Sequence, residues 1–198
     1  FMFRIPKDWI PRLLFPVGNL TKEEVREIAI RANLPTARKP ESQDLCFVDG
    51  NYRDFLLRHE VKPKPGKFIY KGKVVGEHKG SFFYTVGQRK GLNVSLGKRV
   101  YVKEFGNGDV ILDDLDGVMA KAILVGDLNW HFFPGEEFEA EVQIRAGTQA
   151  YRAFVKVSGD TALVEFHDRA FAPTPGQGAA FYFEDFLLGG GTIDRVFY

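Results

Sequence analysis

The sequence predicts a mainly β protein with a short helical N-terminal segment, a small β-rich central domain and a C-terminal antiparallel β-barrel. Three observations carry that prediction. Helical apolar spacing is confined to the first third of the chain. From Lys62 onward, short apolar runs are broken by turns rich in Gly, Asn and Asp. The alternation of Phe138, Ala140, Val142 and Ile144 with Glu139, Glu141, Gln143 and Arg145 has the period of a half-buried strand. The expected divisions are a helical linker over 1–61, a central domain over 62–117 and the barrel over 118–198.

Taken in order, Thr21-Lys22-Glu23-Glu24 forms a capping box, in which the Thr21 hydroxyl accepts from the Glu24 amide and the Glu24 side chain reaches back. Val25, Ile28, Ala29 and Ala32 continue at helical spacing, and Asn33 and Pro35 supply the stop. A second helix is expected from Asn51 to about His59, with Tyr52, Phe55 and Leu56 on one face. Pro35 to Gly50, between them, has no period and reads as a functional loop. Two hairpins follow, Phe68–Tyr70 with Val74–Val75 and Tyr101–Val102 with Val110–Leu112. Between them, Tyr84 to Leu92 reads as a short strand entering a basic, Gly-bounded turn. After a boundary near Asp113–Met119 come the alternating strand and a hairpin around Ser158-Gly159-Asp160. Closing strands are expected at Ala179–Phe183 and Thr192–Phe197. Strands at this spacing without helices suggest a small barrel.

Composition narrows the function. Lys and Arg number 27 against 26 Asp and Glu, a net charge of +1, which excludes a uniformly basic nucleic-acid wrapper but not a local basic patch. Apolar residues at 44 % are enough for a core, so disorder is not expected. No apolar run is long enough to span a membrane, and no secretory signal is visible. One cysteine excludes an internal disulfide framework and a Cys-rich zinc site, which fits a reducing, cytoplasmic setting.

Few residues carry chemistry on their own. Cys46, in Leu45-Cys46-Phe47-Val48, reads either as a small buried hydrophobe or as a thiol nucleophile or sulfur carrier. Arg38 and Lys39 would favour its thiolate, and Glu41 and Asp44 would oppose it. The four histidines, His59, His78, His131 and His167, have no metal-ligand spacing. Gly87-Gln88-Arg89-Lys90-Gly91 reads either as a phosphate-holding turn with two cations and free amides, or as a solvated turn. It is not a P-loop. Gly189-Gly190-Gly191 reads as a kink or close backbone approach at a barrel corner. Arg145 at a strand end and Gln177 in a rigid turn suit an RNA backbone or base edge, but on these residues alone an ordinary loop with exposed polar side chains is the better reading.

Several motifs then occur in one order: Leu14-Phe15-Pro16-Val17-Gly18-Asn19-Leu20-Thr21-Lys22, Ser42-Gln43-Asp44-Leu45-Cys46-Phe47, Tyr84-Thr85-Val86-Gly87-Gln88-Arg89-Lys90-Gly91-Leu92, Pro175-Gly176-Gln177 and Leu188-Gly189-Gly190-Gly191-Thr192-Ile193. Over essentially the whole chain this resembles the tRNA-specific 2-thiouridylases. The resemblance implies the C-terminal part of such an enzyme, without the family's N-terminal nucleotide-binding domain, its pyrophosphatase loop or its first catalytic cysteine. ATP and Mg2+ would be bound by that domain and not by this chain. The resemblance implies that ATP adenylates the 2-oxygen of a wobble uridine. Cys46 would carry the sulfur as a persulfide, delivered by a cysteine desulfurase or a sulfur-relay protein. This chain alone is expected to be inactive in thiolation. The resemblance also makes Arg145 and Ala146 a tRNA-contact pair and Gln177 a single contact, with Ala146 standing where a larger residue such as Tyr is expected. Arg89 and Lys90 are added as phosphate contacts on physical grounds. The barrel is expected to resemble the second domain of translation elongation factors. The rival reading is a non-catalytic RNA-binding β-barrel module in which Cys46 is structural. A protein-docking module for a sulfur donor is a third.

Overall fold

The computed structural model describes residues 2–39, 52–59 and 62–198, with the backbone alone given for 52–54. The Cys46 loop and its Ser42–Phe47 motif lie outside the described residues. By packing, the chain forms two compact units, Trp9–Lys62 and a larger one made of Phe1–Asp8 with Pro63–Tyr198.

In the smaller unit, α1 spans Lys22–Arg31 and α2 spans Tyr52–Arg58. The capping box is formed as expected: the Glu24 amide donates to Thr21 Oγ1 at 3.3 Å, and the Thr21 amide donates to Glu24 Oε2 at 2.7 Å. That backbone bond holds the Glu24 carboxyl below its ordinary range. Asn33 takes a left-handed φ of 52° just past the helix end, which stops it.

In the larger unit, β1 (Gly66–Tyr70), β2 (Lys73–His78), β3 (Tyr101–Gly106) and β4 (Asp109–Asp113) form a sheet in the order β2-β1-β4-β3. The two expected hairpins are both present, and β1 joins them by pairing parallel to β4, with Phe68 opposite Val110. Phe68, Val102, Val110 and Leu112 are fully buried between this sheet and the loop carrying Leu92 and Val100. One expectation is corrected here. Tyr84–Val86 is not a strand. A 3-10 turn at Ser81–Phe83 precedes it, and the chain then runs extended without a ladder partner. Its amides are taken locally instead: the Tyr84 amide donates to the Ser81 carbonyl and the Thr85 amide to Gln88 Oε1, both at 3.0 Å.

The remaining strands are β5 (Met119–Trp130), β6 (Glu137–Gln143), β7 (Tyr151–Ser158), β8 (Thr161–Phe171), β9 (Gly178–Phe183) and β10 (Phe186–Phe197). They close an antiparallel barrel in the order β10-β5-β8-β7-β6-β9. The alternation in β6 turns Ala140 and Val142 inward, against Val155, Val164, Phe181 and Ile193. The long strand β5 had no clear signal in the sequence. The triple glycine is the expected close approach: a Cβ on Gly190 would sit 2.3 Å from the Ala179 carbonyl, and one on Gly191 2.3 Å from that of Gly126. Only backbone fits between the neighbouring strands there.

Candidate nucleic-acid interface

β6 ends at Gln143, and buried Ile144 fixes the exit of the chain. A tight turn follows, in which the Thr148 hydroxyl donates to the Arg145 carbonyl at 2.8 Å and Gln143 Nε2 donates to the Thr148 carbonyl at 2.9 Å. Gly147 supplies the left-handed φ of 72° that this turn requires. Arg145 is thereby held at the barrel rim, where its Nη2 makes a long hydrogen bond of 3.5 Å to the Val86 carbonyl.

Gln177 is placed by a second turn. Its amide donates to the Thr174 carbonyl, and its carbonyl accepts from the Ile193 amide at 2.8 Å, which stitches the turn to β10. The side-chain oxygen of Gln177 is buried and has no hydrogen-bond partner among the described residues. An unsatisfied buried amide oxygen costs free energy unless something donates to it.

These two turns meet. Arg145, Ala146 and Gln177, three residues the sequence singled out, line one cleft of about 370 Å³, with Gln143, Tyr182 and Arg4. Among the described residues, the cleft has two guanidinium groups on its walls and no carboxylate. Neither Arg4 nor Arg145 has an acidic partner among the described residues. Such a surface suits a polyanion, because each arginine can give paired N–H donors to a phosphate. Ala146 is exposed and offers only a methyl group at the cleft edge.

Arg89 and Lys90 are not in this cleft. They lie exposed on the neighbouring turn, which Gln88 organises by accepting from the Thr85 amide and donating to the Lys90 carbonyl. Arg89 lines a separate hollow with Lys98 and Arg99. The turn packs on the barrel: Gly87 lies so close to Ala172 that a Cβ there would approach it to 2.8 Å. The amides of Gly87 and Gln88 are already used within the fold, so what this turn offers a phosphate is its side-chain cations.

Sequence reasoning missed Arg4, Gln143 and Tyr182. For Tyr182 a signal existed, since it is the outward residue next to inward Phe181. For Arg4 none did. No group of His, Cys, Asp and Glu among the described residues could hold a metal ion. No helix of the described residues is long and apolar enough to cross a membrane.

The fold is thus a closed antiparallel barrel with a cationic cleft at its rim and a small mixed sheet, and comparison with known proteins gives the family. Residues 1–50 match a tRNA methyl transferase HUP domain, residues 53–111 a tRNA methyl transferase PRC-barrel domain and residues 120–193 an aminomethyltransferase β-barrel domain. The chain is 42 % identical to the tRNA-specific 2-thiouridylase MnmA of Carboxydothermus hydrogenoformans, covering 98 % of this chain and 55 % of that protein. It is 43 % identical to the same enzyme of Thermotoga neapolitana, over 98 % of this chain and 55 % of the relative. The figure for Thermus thermophilus is 42 %, over 100 % of this chain and 54 % of the relative. The chain belongs to the tRNA-specific 2-thiouridylase family, and it spans about half the length of the curated relatives it matches.

Proposed function

We propose that this chain holds tRNA and carries sulfur in a tRNA-uridine 2-sulfurtransferase that thiolates the wobble uridine. The observation that supports it most is the convergence of Arg145, Ala146 and Gln177 on one carboxylate-free cleft. In this reading Arg145 clamps a phosphate. Gln177, on the cleft wall, offers its side-chain amide N–H to a base edge or a ribose 2′-hydroxyl, and Tyr182 presents a ring to an unstacked base. Arg89 and Lys90 add charge beside the cleft without touching it, which makes their role steering and backbone attraction.

Cys46 is the proposed persulfide carrier. Its thiolate attacks the outer sulfur of a persulfide on a cysteine desulfurase or sulfur-relay protein, breaking the donor's S–S bond and releasing the donor cysteine as a thiolate. Releasing that sulfur calls for a second thiol, since exchange proceeds by attack of one sulfur on another. This chain has no second cysteine. The family's nucleotide-binding domain would provide that thiol, together with ATP and Mg2+ for activating the uridine oxygen. The chain alone should therefore accept sulfur and not complete thiolation.

Intact-mass analysis after incubation with a cysteine desulfurase and labelled cysteine tests the sulfur role, beside Cys46→Ser. A reductant-labile adduct on the parent chain and none on the variant is the expected result. If Cys46 takes no sulfur and resists alkylation, both alone and in the full-length protein, the chain is an RNA-binding module with a structural cysteine. Binding of tRNA by Arg145→Ala, expected to weaken about tenfold or more, tests the cleft separately.

A further inference from the structure

We propose that Arg4 is a further tRNA-phosphate contact, delivered to the cleft by a short strap of chain that docks on the barrel. The inference rests on the reading of the cleft as an RNA site.

The strap is Met2–Ile5, a single 3-10 turn closed by the Ile5 amide donating to the Met2 carbonyl at 3.0 Å. Three anchors hold it. The ring of Phe3, 5 % exposed, fills a notch whose walls are glycines. A Cβ on Gly178 would lie 2.8 Å from that ring, and one on Gly190 also 2.8 Å. Asn129, on β5, donates through one side-chain nitrogen to both the Phe3 and Ile5 carbonyls, the latter at 2.8 Å. His131 Nε2 lies 2.9 Å from the same Ile5 carbonyl, so this nitrogen carries the proton. An apolar plug and two side chains spent on carbonyl groups fix the backbone on either side of position 4.

Arg4 itself is exposed and lines the cleft together with Arg145 and Gln177. Of its five N–H groups, one makes a 3.2 Å bond to the Thr192 hydroxyl. That bond orients the guanidinium without neutralising it. A charged, oriented and unpaired arginine on a pre-organised strap is a phosphate donor set whose conformational cost has already been met in folding.

The test uses the full-length protein and unmodified tRNA, with affinity measured over a series of salt concentrations. Arg4→Ala should weaken binding roughly three- to thirtyfold and reduce the slope of log K against log salt by about one, the signature of one lost phosphate contact. Arg4→Lys should restore most of the slope because it restores the charge. Melting temperature should hardly move, because Phe3 and Asn129 keep the strap docked. If Arg4→Ala leaves affinity and slope unchanged while Arg145→Ala weakens binding, Arg4 is not a contact and the cleft reading survives. If neither variant changes binding, the cleft reading itself fails. A loss with Arg4→Ala that Arg4→Lys does not recover, accompanied by a lower melting temperature, would make Arg4 structural and overturn the proposal.

Discussion

Gly178 and Phe3 are complementary in shape: a Cβ on Gly178 would lie 2.8 Å from both Cε1 and Cζ of the Phe3 ring. The obstruction is a side chain and not backbone, so Gly178→Ala should fold but displace the ring. Overfilling a packed site costs about 1–3 kcal/mol. The expected outcome is a lowered melting temperature together with faster amide exchange at Met2–Ile5. A variant that melts lower with no change in exchange at the strap would contradict the notch.

Ala146 leaves the cleft edge open where the family resemblance leads one to expect a larger residue. Ala146→Tyr should add a ring on which an unstacked base can lie. Stacking of a base on an aromatic side chain contributes about 1–3 kcal/mol. Affinity for tRNA should therefore rise about fivefold or more, with the salt slope unchanged because no charge is added. An equal rise for double-stranded RNA without a loop would argue against base stacking.

His78 is buried at 4 % exposure between the rings of Phe68 and Tyr84, and neither ring nitrogen has a hydrogen-bond partner among the described residues. Burial lowers its pKa from 6.5, and the Asp109 carboxylate opposes that only in part. The unfolded chain then binds the proton more readily than the folded one. Stability contributed by neutral His78 is complete above the unfolded value and falls as pH drops from about 6.5 toward the lower folded value. Denaturant midpoints between pH 7.5 and 5 should fall more for the parent than for His78→Leu. Parallel profiles would show that His78 is not the sensing group.

Asp114 gathers three donors at the edge of the mixed sheet. Tyr70 Oη donates at 2.7 Å, and the ammonium groups of Lys71 and Lys98 each lie at 3.1 Å. The Tyr70 hydroxyl first, and then the two lysines, lower the Asp114 carboxyl to about 2, while Lys71 is raised to about 12. The stabilisation is present above the unfolded value of 3.8 and is lost as pH falls toward about 2. These groups are exposed and screened by salt. Asp114→Asn should lower the melting temperature modestly at low ionic strength, and the gap should close as salt rises. A gap that persists in high salt would point to the neutral Tyr70 hydrogen bond as the stronger contact.

Local signals carried much of this protein. The Thr21–Glu24 box, the turns at Lys71-Gly72 and Asn107-Gly108, and the alternation from Phe138 each depend on residues only a few positions apart. Those interactions are written in neighbouring side chains, so they are legible in one dimension. The β5 strand was not, because Met119–Trp130 mixes inward and outward apolar residues and is decided by pairing with β8 and β10. Tyr84–Val86 has strand composition but no free ladder to join, since its turn bonds to Val102 instead.

The site divides in the same way. Arg145, Ala146 and Gln177 could be named from the sequence, by residue type and by family resemblance, but their meeting in one cleft could not. Gln143 and Ala180 are register partners across β6 and β9, and that closure of the barrel brings positions more than thirty residues apart to one rim. Arg4 joins them only because Phe3 fits a space that Gly178 and Gly190 leave empty. What the sequence determined was which side chains were available and which short elements they form. The tertiary structure alone decided which of them share a surface, because that depends on long-range register and on the shape of a notch defined by missing side chains.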